Sequence, residues 1–121
     1  MTTTMMQVFN YSARCEAMFE GFLNDVGKER KTTFYSDLSI AEYVDGANGV
    51  KDTYKRVVSH WKDDVEYMSE FVIALNQKIW QHYNKNYTLA KVYDELWRKC
   101  DDFCREHFKG EELSYYYSYI D

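Results

Sequence analysis

The chain has 121 residues, with 45% apolar and 29% charged side chains and a net charge of −5. That is the composition of one folded domain, large enough to hold a core without a metal or a disulfide, and not of a disordered chain. No apolar run approaches the ~18 residues of a membrane span. Met1 to Met6 (MTTTMM) lacks a basic n-region, so no signal peptide is expected. The three cysteines, Cys15, Cys100 and Cys104, then read as reduced thiols of a cytoplasmic protein. Zero prolines and five glycines disfavour a many-turned β fold.

The first periodic stretch covers 5–26. Val8, Tyr11, Cys15, Met18, Phe22 and Val26 recur at steps of three and four, one face of a helix. Gly27 follows, where a left-handed cap is expected, and Lys28 to Lys31 form a charged connector. Ser36 is a plausible N-cap for a short helix through Leu38, Ile40, Ala41 and Val44. Asp45-Gly46 and Asn48-Gly49 end it with two turn dipeptides.

Helical spacing then runs without a miss from Val50 through Tyr54, Val57, Trp61, Val65, Met68, Val72, Leu75 and Ile79 to Tyr83. The pattern predicts a long central helix over about 50–83. Its length leaves room for a break near 59–64, where Asp63 or Asp64 could cap a second helix. Phe71 and Ile73 lie about 100° either side of Val72, and Trp80 joins the Ile73 side. The apolar arc from Met68 to Trp80 is therefore roughly 200° wide, which predicts a helix covered on two sides.

Asn84-Lys85-Asn86 is a short polar turn, and Thr88 can cap the last long helix. Leu89, Val92, Tyr93, Leu96, Trp97, Cys100, Phe103, Cys104, His107 and Phe108 trace one apolar face. The opposite face carries charge pairs four residues apart, including Asp94–Arg98 and Asp101–Arg105, each contributing about 0.2–0.5 kcal/mol. A short turn makes the helices on either side of 84–87 antiparallel neighbours, with Leu75, Ile79, Leu96 and Trp97 in one core. The expected architecture is an all-α, single-domain bundle of four or five helices: an N-terminal helix over 5–26, a helical core over 36–110 and a tyrosine-rich tail over 111–121.

Three groups of residues bear on function. Cys100, Cys104 and His107 share one helix face at i, i+4 and i+7. A zinc site needs four ligands from separated segments, and the chain offers no second paired motif, so these three read as core packing, with no metal and no cofactor. A Cys104–His107 nucleophile would also need a cleft and an oxyanion site, and no glycine-rich or strand–turn–helix context supplies one, so no catalytic residue is assigned.

Leu38 to Val57 has a helix–turn–helix rhythm, with Lys51, Lys55, Arg56 and Lys62 as its alternative DNA contacts. Residues 28–62 carry 7 basic and 5 acidic side chains, a faint electrostatic footprint on an acidic protein, so nucleic acid is disfavoured as a partner.

Twelve tyrosines are more than a small core needs, and tyrosine suits protein interfaces. Tyr115, Tyr116, Tyr117 and Tyr119 of the tail are the candidate interface, with docking of the tail on its own core as the competing outcome.

The blocks TTFYSDLSIAEYVDGANGVKDTYKRV, WKDDVEYMSEF, NQKIWQHY, YDELWRK and KGEELSYYY resemble a group of small proteins encoded on conjugative transposons and related mobile elements of gut anaerobic bacteria. The resemblance spans roughly residues 32 to 119, and Asp45 to Gly49 lengthen the turn relative to that pattern. It implies a mobile-element context and transfers no catalytic or binding residue. The functional expectation is a non-enzymatic accessory protein that acts on an unidentified protein partner, in its sharper form by countering host defence. No membrane partner is expected, and a homodimer is compatible with the sequence.

Overall fold

The computed structural model describes residues 16–25, Ile40, Tyr43, Val44 and 49–120. The described residues form five helices and contain no strand. These are α1 (16–25), α2 (Gly49–Trp61), α3 (Val65–His82), α4 (Tyr87–His107) and α5 (Glu111–Ile120). The all-α reading holds, and no described helix is long and apolar enough to cross a membrane. The remainder of the expected 5–26 helix, and most of the short helix from Ser36, lie outside the described residues.

The long periodic stretch is two helices rather than one. Gly49 starts α2 with a φ of 78°, a conformation open to glycine because it has no Cβ. Thr53, buried in the first turns, donates its hydroxyl back to the Gly49 carbonyl at 2.8 Å. The break falls at Lys62, Asp63 and Asp64. Asp64 is the N-cap of α3, its carboxylate accepting from the Tyr67 backbone N–H at 2.9 Å. A carboxylate there satisfies one of the four donors that a helix start leaves open. The apolar period continues through the break because both helices face the same core.

At the next turn Asn86, not Thr88, is the N-cap, and its side chain accepts from Leu89 N at 3.1 Å. The helix starts one residue before Thr88, which leaves that hydroxyl inside the first turn. Phe108 is the C-cap of α4, and Gly110 turns the chain with a φ of 60° into α5.

Helices α3 and α4 make the largest interface, α2 packs mainly on α4, and α5 lies back across α3. Met68, Phe71, Val72, Ala74 and Leu75 of α3 meet Tyr93, Leu96, Cys100 and Cys104 of α4 in one core. Leu96 is fully buried, while Ile79 and Trp97 are partly buried against the same cluster. Much of the aromatic excess is spent here. Phe19 and Phe22 of α1 pack edge-on against Phe71, each at 5.6 Å between centroids. Phe22 also meets Tyr43 at 5.4 Å, and Trp61 stacks on Tyr67 at 4.2 Å, across the α2–α3 break. Tyr43, Tyr93 and Tyr116 are all fully buried, so three tyrosines are core residues.

Candidate functional site

The exposed end of the α3–α4 hairpin carries the largest outward aromatic surface among the described residues. The turn is closed by the His82 carbonyl, which accepts from Lys85 N at 3.1 Å and Asn86 N at 2.8 Å. With α3 ended and α4 started within four residues, the side chains that flank the turn point away from the core. Trp80 is 69% exposed, Tyr87 61% and Tyr83 50%. Tyr83 lies between the other two, at 6.0 Å from Trp80 and 6.1 Å from Tyr87 by ring centroid. The three form one continuous patch rather than scattered apolar residues.

A groove of roughly 240 Å³ opens beside the patch, floored by Ile79 and Ala90 and walled by Tyr83 and Tyr87. Lys91 and Asp94 stand at its rim. Asp94 accepts from Arg98 Nε at 2.8 Å, and Lys91 Nζ sits 5.8 Å from the Tyr87 ring centre. His82 stacks on Tyr93 at 5.6 Å. Burial first, then Lys78 and Lys85, push its imidazole below the usual histidine range, which favours its neutral form. The positive charge at this end therefore resides on Lys85 and Lys91.

Trp80 corrects the expectation of an α3 covered on two sides through its last turns. The signal was present in the sequence. Asn76 and Gln77 precede Trp80 by four and three residues, and Asn84 follows by four, so its stripe of the helix is polar on either side. The wide apolar arc holds only as far as Leu75.

The tail tyrosines are placed differently from one another. Tyr116 is fully buried and donates its hydroxyl to Asp101 at 2.6 Å, so it offers nothing to a partner, and the expected four-tyrosine interface is corrected at that residue. Tyr119 is half-buried and donates to Glu70 of α3 at 2.7 Å. Tyr117 is half-buried with the Arg105 guanidinium 5.2 Å over its ring. Tyr115 is 38% exposed and packs beside Tyr119 at 5.7 Å. An amphipathic α5 explains this: Leu113, Tyr116, Tyr117 and Ile120 follow helical spacing and turn to the core together. Intramolecular docking of the tail is the observed outcome.

Asp101 corrects a second expectation. Its pairing with Arg105 four residues on predicts a place on the solvated charged face, yet it is only 8% exposed. Both of its oxygens accept from Arg105 Nε, at 3.0 and 2.9 Å, besides the bond from Tyr116. Its stripe holds Trp97, Cys104 and Phe108 at i−4, i+3 and i+7, which is the edge of the apolar face and not its opposite.

Cys100 and Cys104 are buried in the core. Desolvation pushes both thiols up, Cys104 to about 12, which disfavours the thiolate that a nucleophile or a metal ligand requires. His107 turns away to Asp63, with Nε2 to Oδ1 at 3.1 Å, and stacks on Phe103 at 4.8 Å. Among the described residues no group of three or more His, Cys, Asp or Glu side chains is placed to hold a metal ion.

Of the alternative DNA contacts, Lys51, Lys55 and Lys62 are exposed. Arg56 is not presented with them. It is half-buried and donates to Asp52 at 2.9 Å, one turn earlier on α2.

A second, wider groove of roughly 340 Å³ lies between α1 and α3, lined by Ala17, Met18, Gly21, Tyr67 and Glu70. Its one carboxylate, Glu70, is already bound by Tyr119. Comparison with protein-family models, with curated proteins and with solved structures found no match.

Proposed function

We propose that the protein is a non-enzymatic binding domain that engages a protein partner through Trp80, Tyr83 and Tyr87. The exposure of Trp80 at 69%, within a continuous aromatic patch, carries this reading. Leaving large aromatic area in water forgoes the stabilisation that burial supplies elsewhere in this core. Contiguous exposed apolar patches mark interaction sites, and tryptophan and tyrosine dominate the residues that contribute most at interfaces. The interface thus moves from the tail to the α3–α4 turn. A role in a mobile element, acting on a host protein, is the form this reading takes in the context that the sequence resemblance implies.

Protein is favoured over duplex DNA because Lys51, Lys55 and Lys62 are few, and Arg56 is engaged by Asp52. A handful of phosphate contacts on a protein of net charge −5 gives steeply salt-dependent binding.

The test is affinity capture from the native host, with nuclease treatment, at low salt and at about 150 mM salt, where charge is screened beyond ~8 Å. The expected result is a protein retained at both salt levels and lost with Trp80→Ala plus Tyr83→Ala. Capture that disappears on nuclease treatment, or that is indifferent to those substitutions, overturns the reading.

A further inference from the structure

We infer that the groove beside Tyr83 and Tyr87 takes an acidic peptide segment of a partner protein, one that inserts an aliphatic side chain and sets a carboxylate against Lys85 and Lys91. This rests on the proposed protein-binding role of the aromatic patch and specifies the chemistry of what it binds.

Shape gives the first half of the inference. At roughly 240 Å³ the groove is sized for one or two side chains and not for a folded surface. Its floor, Ile79 and Ala90, is apolar and offers no hydrogen-bonding side chain. An aliphatic anchor of the Leu or Ile type would lose water on both sides there, at a gain of about 25 cal/mol per Å² of apolar area covered. Tyr83 and Tyr87 would flank it, each keeping a hydroxyl for the polar rim.

Charge gives the second half. Among the described residues neither Lys85 nor Lys91 is paired with a carboxylate. The one acidic side chain of the groove, Asp94, is held by Arg98 and adds no free negative charge. This end of an acidic protein is therefore locally basic. An acidic segment approaching it meets attraction at the groove and repulsion from the rest of the surface, which sets orientation as well as affinity.

The same charges argue against a second copy of this chain as the occupant. A two-fold interface brings the same patch together from both subunits. Lys85 and Lys91 would then face their own copies around a small apolar contact, and like charges juxtaposed in this way are unfavourable. Stacking of single-stranded nucleic acid on the three rings would want a basic track along the strand. Lys91 at the groove and Lys85 on the adjoining turn do not provide one.

The full-length protein would be used to select from a random peptide library displayed on phage, and the enriched peptides then synthesised and titrated against it. The expected result is enrichment of peptides with Asp or Glu next to Leu or Ile. Their binding should weaken at least tenfold with Lys85→Glu plus Lys91→Glu, and should be lost with Tyr83→Ala plus Tyr87→Ala. Their addition should shift the amide resonances of residues 83–91. Apolar peptides that need Tyr83 and Tyr87 but carry no acidic preference would overturn the charge inference while leaving the aromatic surface as the binding site. Peptides that ignore both pairs of substitutions would overturn both. A dimer in sedimentation that Trp80→Ala dissolves would assign the patch to a second copy, and preferential binding of single-stranded oligonucleotides would assign it to nucleic acid; either overturns the proposal. All five side chains substituted here across the variants and controls are surface groups, and retained helical circular dichroism identifies variants that fold.

Discussion

The Tyr116 hydroxyl of α5 donates to the Asp101 carboxylate of α4 at 2.6 Å, with both residues buried. This bond ties the last helix to the bundle across 15 positions of sequence. It also answers the cost of burying a carboxylate, together with the two contacts from Arg105. Removing the phenol alone leaves Asp101 short of a donor in an apolar surrounding. Tyr116→Phe is therefore expected to lower stability by about 1.5–3 kcal/mol, the range for hydrogen bonds to charged groups. Urea unfolding measures it, and a loss under about 0.5 kcal/mol would mean that water replaces the phenol at no cost.

The buried thiols make stability fall at alkaline pH. Cys104 is raised from 9.0 to about 12 by burial, and Cys100 is raised by the same cause. Below pH 9 both folded and unfolded chains hold these protons, and the contribution is fully present. Above it the unfolded chain releases them first, so it binds fewer protons and gains. The contribution is lost progressively between 9.0 and about 12. In a Cys15→Ser background, urea midpoints at about pH 8 and 10 should differ, and Cys100→Ala plus Cys104→Ala should reduce the difference. A pH-independent midpoint contradicts the burial.

Thiol labelling tests the same geometry kinetically. In that background neither cysteine should react with an aromatic disulfide reagent at neutral pH until denaturant is added, because the thiolate is the reactive form and both sulfurs are covered. Rapid reaction of either cysteine in the native protein would show an open path to α4.

Asp64 caps α3 at the point where the long apolar pattern is divided. Asp64→Ala should cost about 0.5–2 kcal/mol, and Asp64→Ser or Asp64→Asn should recover most of it. Calorimetric melting of the three variants distinguishes a lost cap from a lost surface charge, since Asn restores the acceptor without the charge.

Leu96 and Trp80 separate stability from binding. Leu96 is fully buried between α3 and α4, and Leu96→Ala should cost about 2–5 kcal/mol through the cavity it leaves. Trp80→Ala, a far larger truncation, should change stability by no more than about 0.5 kcal/mol, because the ring is mostly in water. A large destabilisation by Trp80→Ala would place the indole in the core and remove the basis of the proposed surface.

The helical class, the α3–α4 hairpin and most of its core were legible in the sequence. Steps of three and four place Met68, Val72, Leu75, Tyr93, Leu96, Cys100 and Cys104 on facing stripes, and a short polar turn leaves the two helices no choice but to be neighbours. Even the break was legible as an option, because Asp64 is a capping residue in the middle of a pattern too long for one helix in a small domain.

What periodicity cannot rank is residues at the edge of a stripe. Trp80 and Asp101 sit at such edges, and type alone assigns the aromatic ring inward and the carboxylate outward. The fold reverses both. The turn at Tyr83 to Lys85 ends the bundle with Trp80 mostly in water, while α5 folds back and brings the Tyr116 phenol to Asp101. Sequence by itself determined which faces of this protein are apolar, since that depends on local spacing. Which of their borders are covered, and so where a partner can bind, was decided only by the tertiary structure, because cover comes from helices distant in the chain.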